Sequence, residues 1–135
     1  MTITLNYSFS AGLENLRPAR HTATEAAEAA DINELGHHRL KLAVNEAFAN
    51  ATHAGAANIT IDYTIDDHTV TARITDDGPG LGAPNPDDTA MPDRYATHGR
   101  GIPIIRAIDA DATWRLADDV GTTVTFTVNP KDTHA

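Results

Sequence analysis

An α+β two-layer sandwich, with helices on one face of a mixed, mainly antiparallel sheet, is the fold class that three features of the sequence predict. Apolar and polar residues alternate at strand period in several short segments, while two alanine-containing stretches and one isoleucine-rich stretch carry helical spacing. Their order is β-α-α-β-β-lid-α-β-β, with no internal repeat. No linker-like stretch divides the 135 residues, so one domain is expected over 1–130, with a loose tail at 131–135.

The elements follow from local chemistry. Ile3, Leu5, Tyr7 and Phe9 alternate with polar residues, as in a strand with one buried face. From about Glu14 to Ala30 helix formers dominate, and Pro18 sits near the start, where a missing N–H costs little. Asp31-Ile32-Asn33 breaks this helix, and a second is predicted from roughly Glu34 to Ala54, closed by Gly55. On it Leu40, Val44, Ala47, Phe48 and Ala51 recur at three- and four-residue steps and should face a sheet; Glu46, Asn50 and His53 stack along another line. Ile59, Ile61, Tyr63 and Ile65, then Val70, Ala72 and Ile74, alternate around an Asp66-Asp67-His68 turn and predict two antiparallel strands. Leu81 to His98 has Pro84, Pro86 and Pro92 and no apolar period, which predicts a surface excursion. Ile102, Ile104, Ile105 and Ile108 predict a short helix that Pro103 forces to begin close to Gly99. Ala112–Ala117 and Thr122–Val128 complete the chain as strands of a hairpin.

Composition narrows the function classes. The formal charge is −9, with Lys and Arg scattered singly, so no basic stripe is available for a nucleic-acid backbone and no direct nucleic-acid partner is expected. The absence of cysteine excludes disulfides, thiolate catalysis and sulfur-ligated zinc. Neither a basic leader nor a membrane-length apolar run is present, so no membrane partner and a cytoplasmic location are expected.

Three motifs carry chemistry. Glu46 and Asn50 are one helical turn apart, so a magnesium ion held by the Asn amide oxygen would sit within reach of a water or hydroxyl polarised by Glu46, the candidate general base. A solvated helix face explains the same pair. In Asp76-Asp77-Gly78-Pro79-Gly80, the Asp76 carboxylate can accept a hydrogen bond from the adenine amine while Gly78 and Gly80 keep side chains away from the base; a plain Asp-Gly turn fits as well. Gly99-Arg100-Gly101 opens the short helix and can point N–H groups at phosphate beside Arg100 and Thr97, or act only as a cap.

Taken together, Asn45-Glu46-Ala47-Phe48-Ala49-Asn50-Ala51, Asp76-Asp77-Gly78-Pro79-Gly80, Gly99-Arg100-Gly101-Ile102 and Gly121-Thr122-Thr123-Val124 resemble the N box and glycine boxes of the GHKL superfamily, the histidine-kinase-type ATPases. The short lid resembles the anti-sigma factor serine/threonine kinases of bacterial partner-switching systems, the RsbW-like group. The resemblance implies ATP and Mg²⁺ as cofactors, Glu46 as catalytic base, Asn50 as metal ligand and Asp76 as the adenine contact. It also implies Gly78 and Gly80 around the base, Gly99 and Gly101 near the phosphates, and the Thr122 hydroxyl supporting adenine. Its implied partners are a small anti-anti-sigma (STAS-type) protein as phosphorylation substrate, a sigma factor, and a second copy of the chain in a homodimer. Arg20 matches an arginine that meets either partner in relatives, and a solvated surface arginine is the alternative. Two departures stand out: Ala54 occupies a position that is often His in relatives, with His53 one step earlier, and the Leu81–His98 lid lacks Lys. A module that binds ATP and inhibits its partner by occupancy, without phosphotransfer, is the competing reading.

Overall fold

The computed structural model describes residues 2–78, 101–109, 112–116 and 121–128. Strand β1 (Thr2–Ser10) leads through a 3₁₀ turn at Leu13–Asn15 into α1 (Leu16–Ala30), and α2 (Glu34–His53) follows. Next come β2 (Asn58–Asp66), β3 (Thr69–Asp76), α3 (Gly101–Ile108), β4 (Thr113–Leu116) and β5 (Thr122–Val128). The strands form one five-stranded sheet in the order β1-β2-β3-β5-β4. Every described pairing is antiparallel, so the expected mainly antiparallel sheet contains no parallel pair among the described strands. The first helix begins two residues later than its composition predicts, because the 3₁₀ turn takes up Glu14 and Asn15. The lid, the Asp118–Val120 connection and the C-terminal tail lie outside the described residues.

Local signals set the boundaries. Asp31 ends α1 in the left-handed conformation at φ 55°, and its N–H bonds the carbonyls of Ala27 and Glu28. The side chain of Asn33 then caps α2 by accepting the Gly36 N–H at 3.0 Å. Past the α2 end, Gly55 takes φ 94°, as its predicted capping place requires. In the β2–β3 hairpin both Asp67 and His68 have positive φ, the geometry that matches strand twist in a two-residue turn. His68 Nδ1 also lies 2.7 Å from the Ala30 carbonyl, tying that turn to the C-terminus of α1.

Both long helices and α3 pack on one face of the sheet. Leu40, Val44, Ala47, Phe48 and Ala51 of α2 are buried, as their spacing predicts, and meet Ile59, Ile61, Tyr63, Val70, Ala72, Ile74, Val124, Phe126 and Val128. From α1 the contribution is small side chains, Ala19, Ala23, Ala26, Ala27 and Ala30, which let the helix approach closely. Two hydroxyls meet within that seam and are satisfied: Thr22 Oγ1 donates to the Ala19 carbonyl at 2.7 Å and lies 2.8 Å from the Tyr63 hydroxyl. Burial pushes the Tyr63 phenol far above its ordinary pKa, so it stays a neutral donor.

The sheet's other face is polar. Thr71 and Thr127, and Thr75 and Thr123, pair their hydroxyls across β3 and β5 at 3.2 and 3.3 Å, and the Asn6 amide donates to Asp62. Strand β1 is at the sheet edge, and its expected buried face is only half covered: Leu5, Tyr7 and Phe9 are partly buried and Ile3 is 38% exposed. The helix layer sits over the middle of the sheet, so the edge strand projects beyond it.

Candidate functional site

Asp76 is the last residue of β3 and follows Val70, Ala72 and Ile74 in the row that points at the helix layer. A strand pattern that should end in another apolar residue therefore ends in a buried carboxylate, 9% exposed. One of its oxygens accepts the Gly78 N–H at 2.9 Å, and the backbone N–H of Thr122 also donates to it. Burial nevertheless dominates and holds the Asp76 carboxyl above its usual range, with neighbouring Asp77 adding to the effect.

Two glycines shape this corner. Gly121 has φ +70°, and a Cβ there would come within 1.6 Å of the Asp76 carbonyl oxygen. Gly78 packs against Ala56, where a Cβ would lie 3.1 Å from the Ala56 nitrogen and from Asp76 Oδ1. The start of β5 and the end of β3 are thus joined backbone to backbone. Thr122 meets Asp76 through its main-chain N–H, a contact distinct from the side-chain role expected of its hydroxyl.

Glu46 and Asn50 occupy adjacent turns of α2 and are both partly buried. Asn50 Oδ1 is fully enclosed and has no hydrogen-bond partner among the described residues. A buried amide oxygen left unpaired costs about 1–3 kcal/mol, so this acceptor is shaped for something that donates or coordinates. An oxygen ligand of this kind fits a hard cation such as Mg²⁺, which takes few protein ligands and completes its shell with phosphate oxygens and water. Among the described residues no group of three His, Asp or Glu is placed to hold a metal by itself. The residues therefore fit a metal that arrives with a phosphate ligand.

Helix α3 starts at Gly101 and packs against α2 through an apolar side that includes buried Ile105 and Ile108. Asp109, just past its end, accepts the Thr127 N–H at 2.7 Å and secures α3 to β5. Gly101 is thereby placed at the N-terminal end of a helix lying beside the Glu46–Asn50 helix. Gly80, Thr97, Gly99 and Arg100 lie outside the described residues.

Arg20 is on α1, where its Nη1 donates to Asn45 Oδ1 at 2.9 Å. It borders a cleft of about 190 Å³ between α1 and α2, lined also by Arg17, His21, Thr24 and Lys41. In a chain of charge −9 this is a local concentration of positive groups. The scattered sequence positions of Arg17, Arg20 and Lys41 conceal it, and only the packing of the two helices brings them together. His53 is exposed at the end of α2.

Asp77 and Asn45 are residues whose part the motif reading left unassigned. The Asp77 carboxylate accepts the N–H groups of Ala57 and Asn58 at 2.8 Å each and the Asn58 side-chain amide at 2.9 Å. Those bonds, led by the Asn58 backbone, hold its carboxyl below the ordinary range. The doubled Asp before Gly78 was the available signal, but its partners are some twenty residues away.

No helix among the described residues is long and apolar enough to cross a membrane. No curated protein sequence is significantly similar to the chain. Among solved structures, the RsbU and RsbW domains of Rv1364c from Mycobacterium tuberculosis superpose with a TM-score of 0.69 at 18% identity. That match covers 94% of this chain and 32% of the other, so the chain spans about a third of the length of that structure. At this identity the likeness establishes a shared fold. The model of the histidine kinase-like ATPase domain matches residues 9–128. That span runs from the end of β1 through the Asn50 helix and the Asp76 corner to the last residue of β5, and the chain belongs to the histidine kinase-like ATPase domain family.

Proposed function

We propose that this chain is an ATP- and Mg²⁺-dependent serine/threonine kinase of a bacterial partner-switching system. In this reading it transfers the γ-phosphate to a Ser or Thr of a small anti-anti-sigma (STAS-type) protein and sequesters a sigma factor. The observation that carries the proposal is the enclosed Asn50 Oδ1, unpartnered among the described residues, one helical turn from Glu46 and close to the C-terminal end of α2, the end that leads to the Asp76 corner. Membership of the ATPase family and the fold shared with an RsbW domain support the direction of the reading.

Each residue has a distinct task. Asp76 accepts the adenine amine, with Gly78 and Gly80 leaving room for the base and Thr122 bracing the carboxylate. Gly101, at the start of α3, would receive the phosphates together with Thr97, Gly99 and Arg100, which precede it in the sequence. Asn50 would hold the metal, whose charge would offset that of the phosphates. Glu46 would take the proton from the attacking Ser or Thr hydroxyl as that oxygen bonds the γ-phosphorus and the bond to the ADP leaving group breaks.

Partner contact is assigned to Arg20 and its cationic cleft, which suit an acidic protein surface. Homodimer formation is assigned to the molecule's uncovered surfaces, and the half-covered edge strand β1 with exposed Ile3 supports it. The working unit is the single domain over 1–130, and its action is cytoplasmic.

Incubation with labelled ATP, Mg²⁺ and the STAS-type protein encoded nearest to it tests this. Wild type should label the partner on Ser or Thr, and Glu46→Ala should bind ATP normally while transferring at least about a hundredfold more slowly. Binding of ATP without any transfer by wild type would replace the kinase reading with inhibition by occupancy.

A further inference from the structure

Both carboxylate oxygens of Asp77 are hydrogen-bonded, yet none of these bonds belongs to the strand ladder that ends beside it. The β2–β3 pairing stops at Ile59 and Asp76. Beyond that point one backbone bond, from Asp77 N–H to the Asn58 carbonyl at 3.2 Å, continues the contact. The Asp77 carboxylate adds three more, to Ala57 N–H, Asn58 N–H and the Asn58 amide, at 2.8, 2.8 and 2.9 Å.

The segment it grips is fastened in turn to the end of α2. Ala54 N–H donates to the Asn50 carbonyl at 2.9 Å, Gly55 N–H to Thr52 and Ala56 N–H to Ala51, each at 3.1 Å. A continuous series of short bonds therefore runs from Asn50, round the α2–β2 connection, to Asp77 and across one peptide to Asp76. The neighbouring strand end joins the same connection, since Ala11 N–H donates to the Ala57 carbonyl at 2.9 Å. Charge-assisted bonds to backbone N–H groups are the stronger kind, and here they reinforce the single backbone bond that joins Asp77 to Asn58, on the side of the turn away from the Thr122 N–H.

We infer that Asp77 is a positioning residue for base selectivity, its carboxylate fixing the Asp76 reader at a set distance from the metal-side Asn50. The inference rests on the reading of Asp76 and Asn50 given above. Its selectivity arises because the clamp acts on the base end of the site, while the phosphate end is held by α2 and α3. Loss of the clamp lets the Asp76 turn shift relative to α2, and the bond to the adenine amine weakens before the phosphate contacts do.

The test compares Mg–ATP with Mg–purine riboside triphosphate, which lacks the 6-amino group, by calorimetry on the full chain. Wild type should prefer ATP, and Asp76→Asn should abolish the preference. Asp77→Ala should reduce the ATP preference about fivefold to tenfold with little change for the purine analogue. Asp77→Asn keeps an acceptor for the two backbone N–H groups, so it should fall between Asp77→Ala and wild type, and Asn58→Ala should match it. These two variants carry the test if Asp77→Ala fails to fold.

Equal weakening of both nucleotides, or an unchanged ratio in Asp77→Asn and Asn58→Ala, would overturn the inference and leave Asp76 as the reader. Failure of wild type to bind Mg–ATP, or an unchanged ratio in Asp76→Asn, would overturn the underlying site reading and the inference with it.

Discussion

Gly121 lies against Asp76 so closely that a single added methyl group would sit 1.6 Å from the Asp76 carbonyl oxygen. The obstructing atom is backbone, held in the β3 strand end, so no side-chain rotation relieves it. The positive φ of Gly121 adds a second penalty for any L side chain. Gly121→Ala is expected to cost about 2–5 kcal/mol, the sum of overpacking and left-handed strain. Urea denaturation measures it, and a cost under about 0.5 kcal/mol would mean that the two strand ends are not in register as described.

Asp76 should show a conflict between stability and binding. Its carboxyl is raised by burial, so the folded state favours the protonated form. The sign follows from linkage: a raised folded pKa contributes stability that is present at low pH and lost as pH rises through that pKa. At neutral pH the ionised carboxylate is therefore a burden on the fold. Asp76→Asn is expected to be as stable as wild type or more so at neutral pH, and to lose that advantage as pH falls through the raised pKa. It should also lose the preference for ATP over the purine analogue. Denaturation curves across the acid range, with calorimetry at neutral pH, check both halves; a large loss of stability at neutral pH contradicts the argument.

Asp77 has the opposite sign. Its hydrogen bonds lower the carboxyl below the ordinary value of 3.8, so its contribution is present above that value and disappears as pH falls through the depressed one. The acid limb of the stability curve should therefore flatten in Asp77→Asn. An unchanged acid limb would show that the clamp bonds do not persist in solution.

Asn50→Leu removes a buried acceptor that has no partner among the described residues. Without nucleotide its thermal midpoint should equal or exceed that of wild type, since an unsatisfied polar atom has been replaced by an apolar one. With Mg–ATP the wild-type midpoint should rise and the variant's should not. A variant destabilised by several kcal/mol without nucleotide would instead place Asn50 among the structural residues.

Arg20→Ala loses the bond to Asn45 and one charge of the α1–α2 cleft. Stability should fall by about 1 kcal/mol, and ATP affinity should be unaffected. Binding to the proposed anti-anti-sigma-type partner should weaken about tenfold and lose part of its salt dependence. Surface plasmon resonance at two ionic strengths separates these effects, and an unchanged partner affinity removes Arg20 from the interface.

What the sequence determined is what local periodicity and local sterics encode. Alternation of Ile59, Ile61, Tyr63 and Ile65 specifies a strand because side chains point to opposite faces at every step, and α2 is legible because its buried residues recur each turn. Asp76, Asn50 and Glu46 were legible as candidates because a carboxylate, an amide and glycines stand at turns and helix edges where core chemistry would place none. The half-covered face of β1 was not legible, because alternation states which side is apolar and not how far the helices extend over it.

Tertiary structure alone decided the pairs: Gly121 on Asp76, Asp77 on Asn58, Arg20 on Asn45, and β5 between β3 and β4. Each joins positions many residues apart, and no local period carries information about what lies across a sheet or between two helices. The physical reason is that strand order and helix docking are selected by burial of the whole apolar surface at once, and these close contacts exist only after that selection has been made.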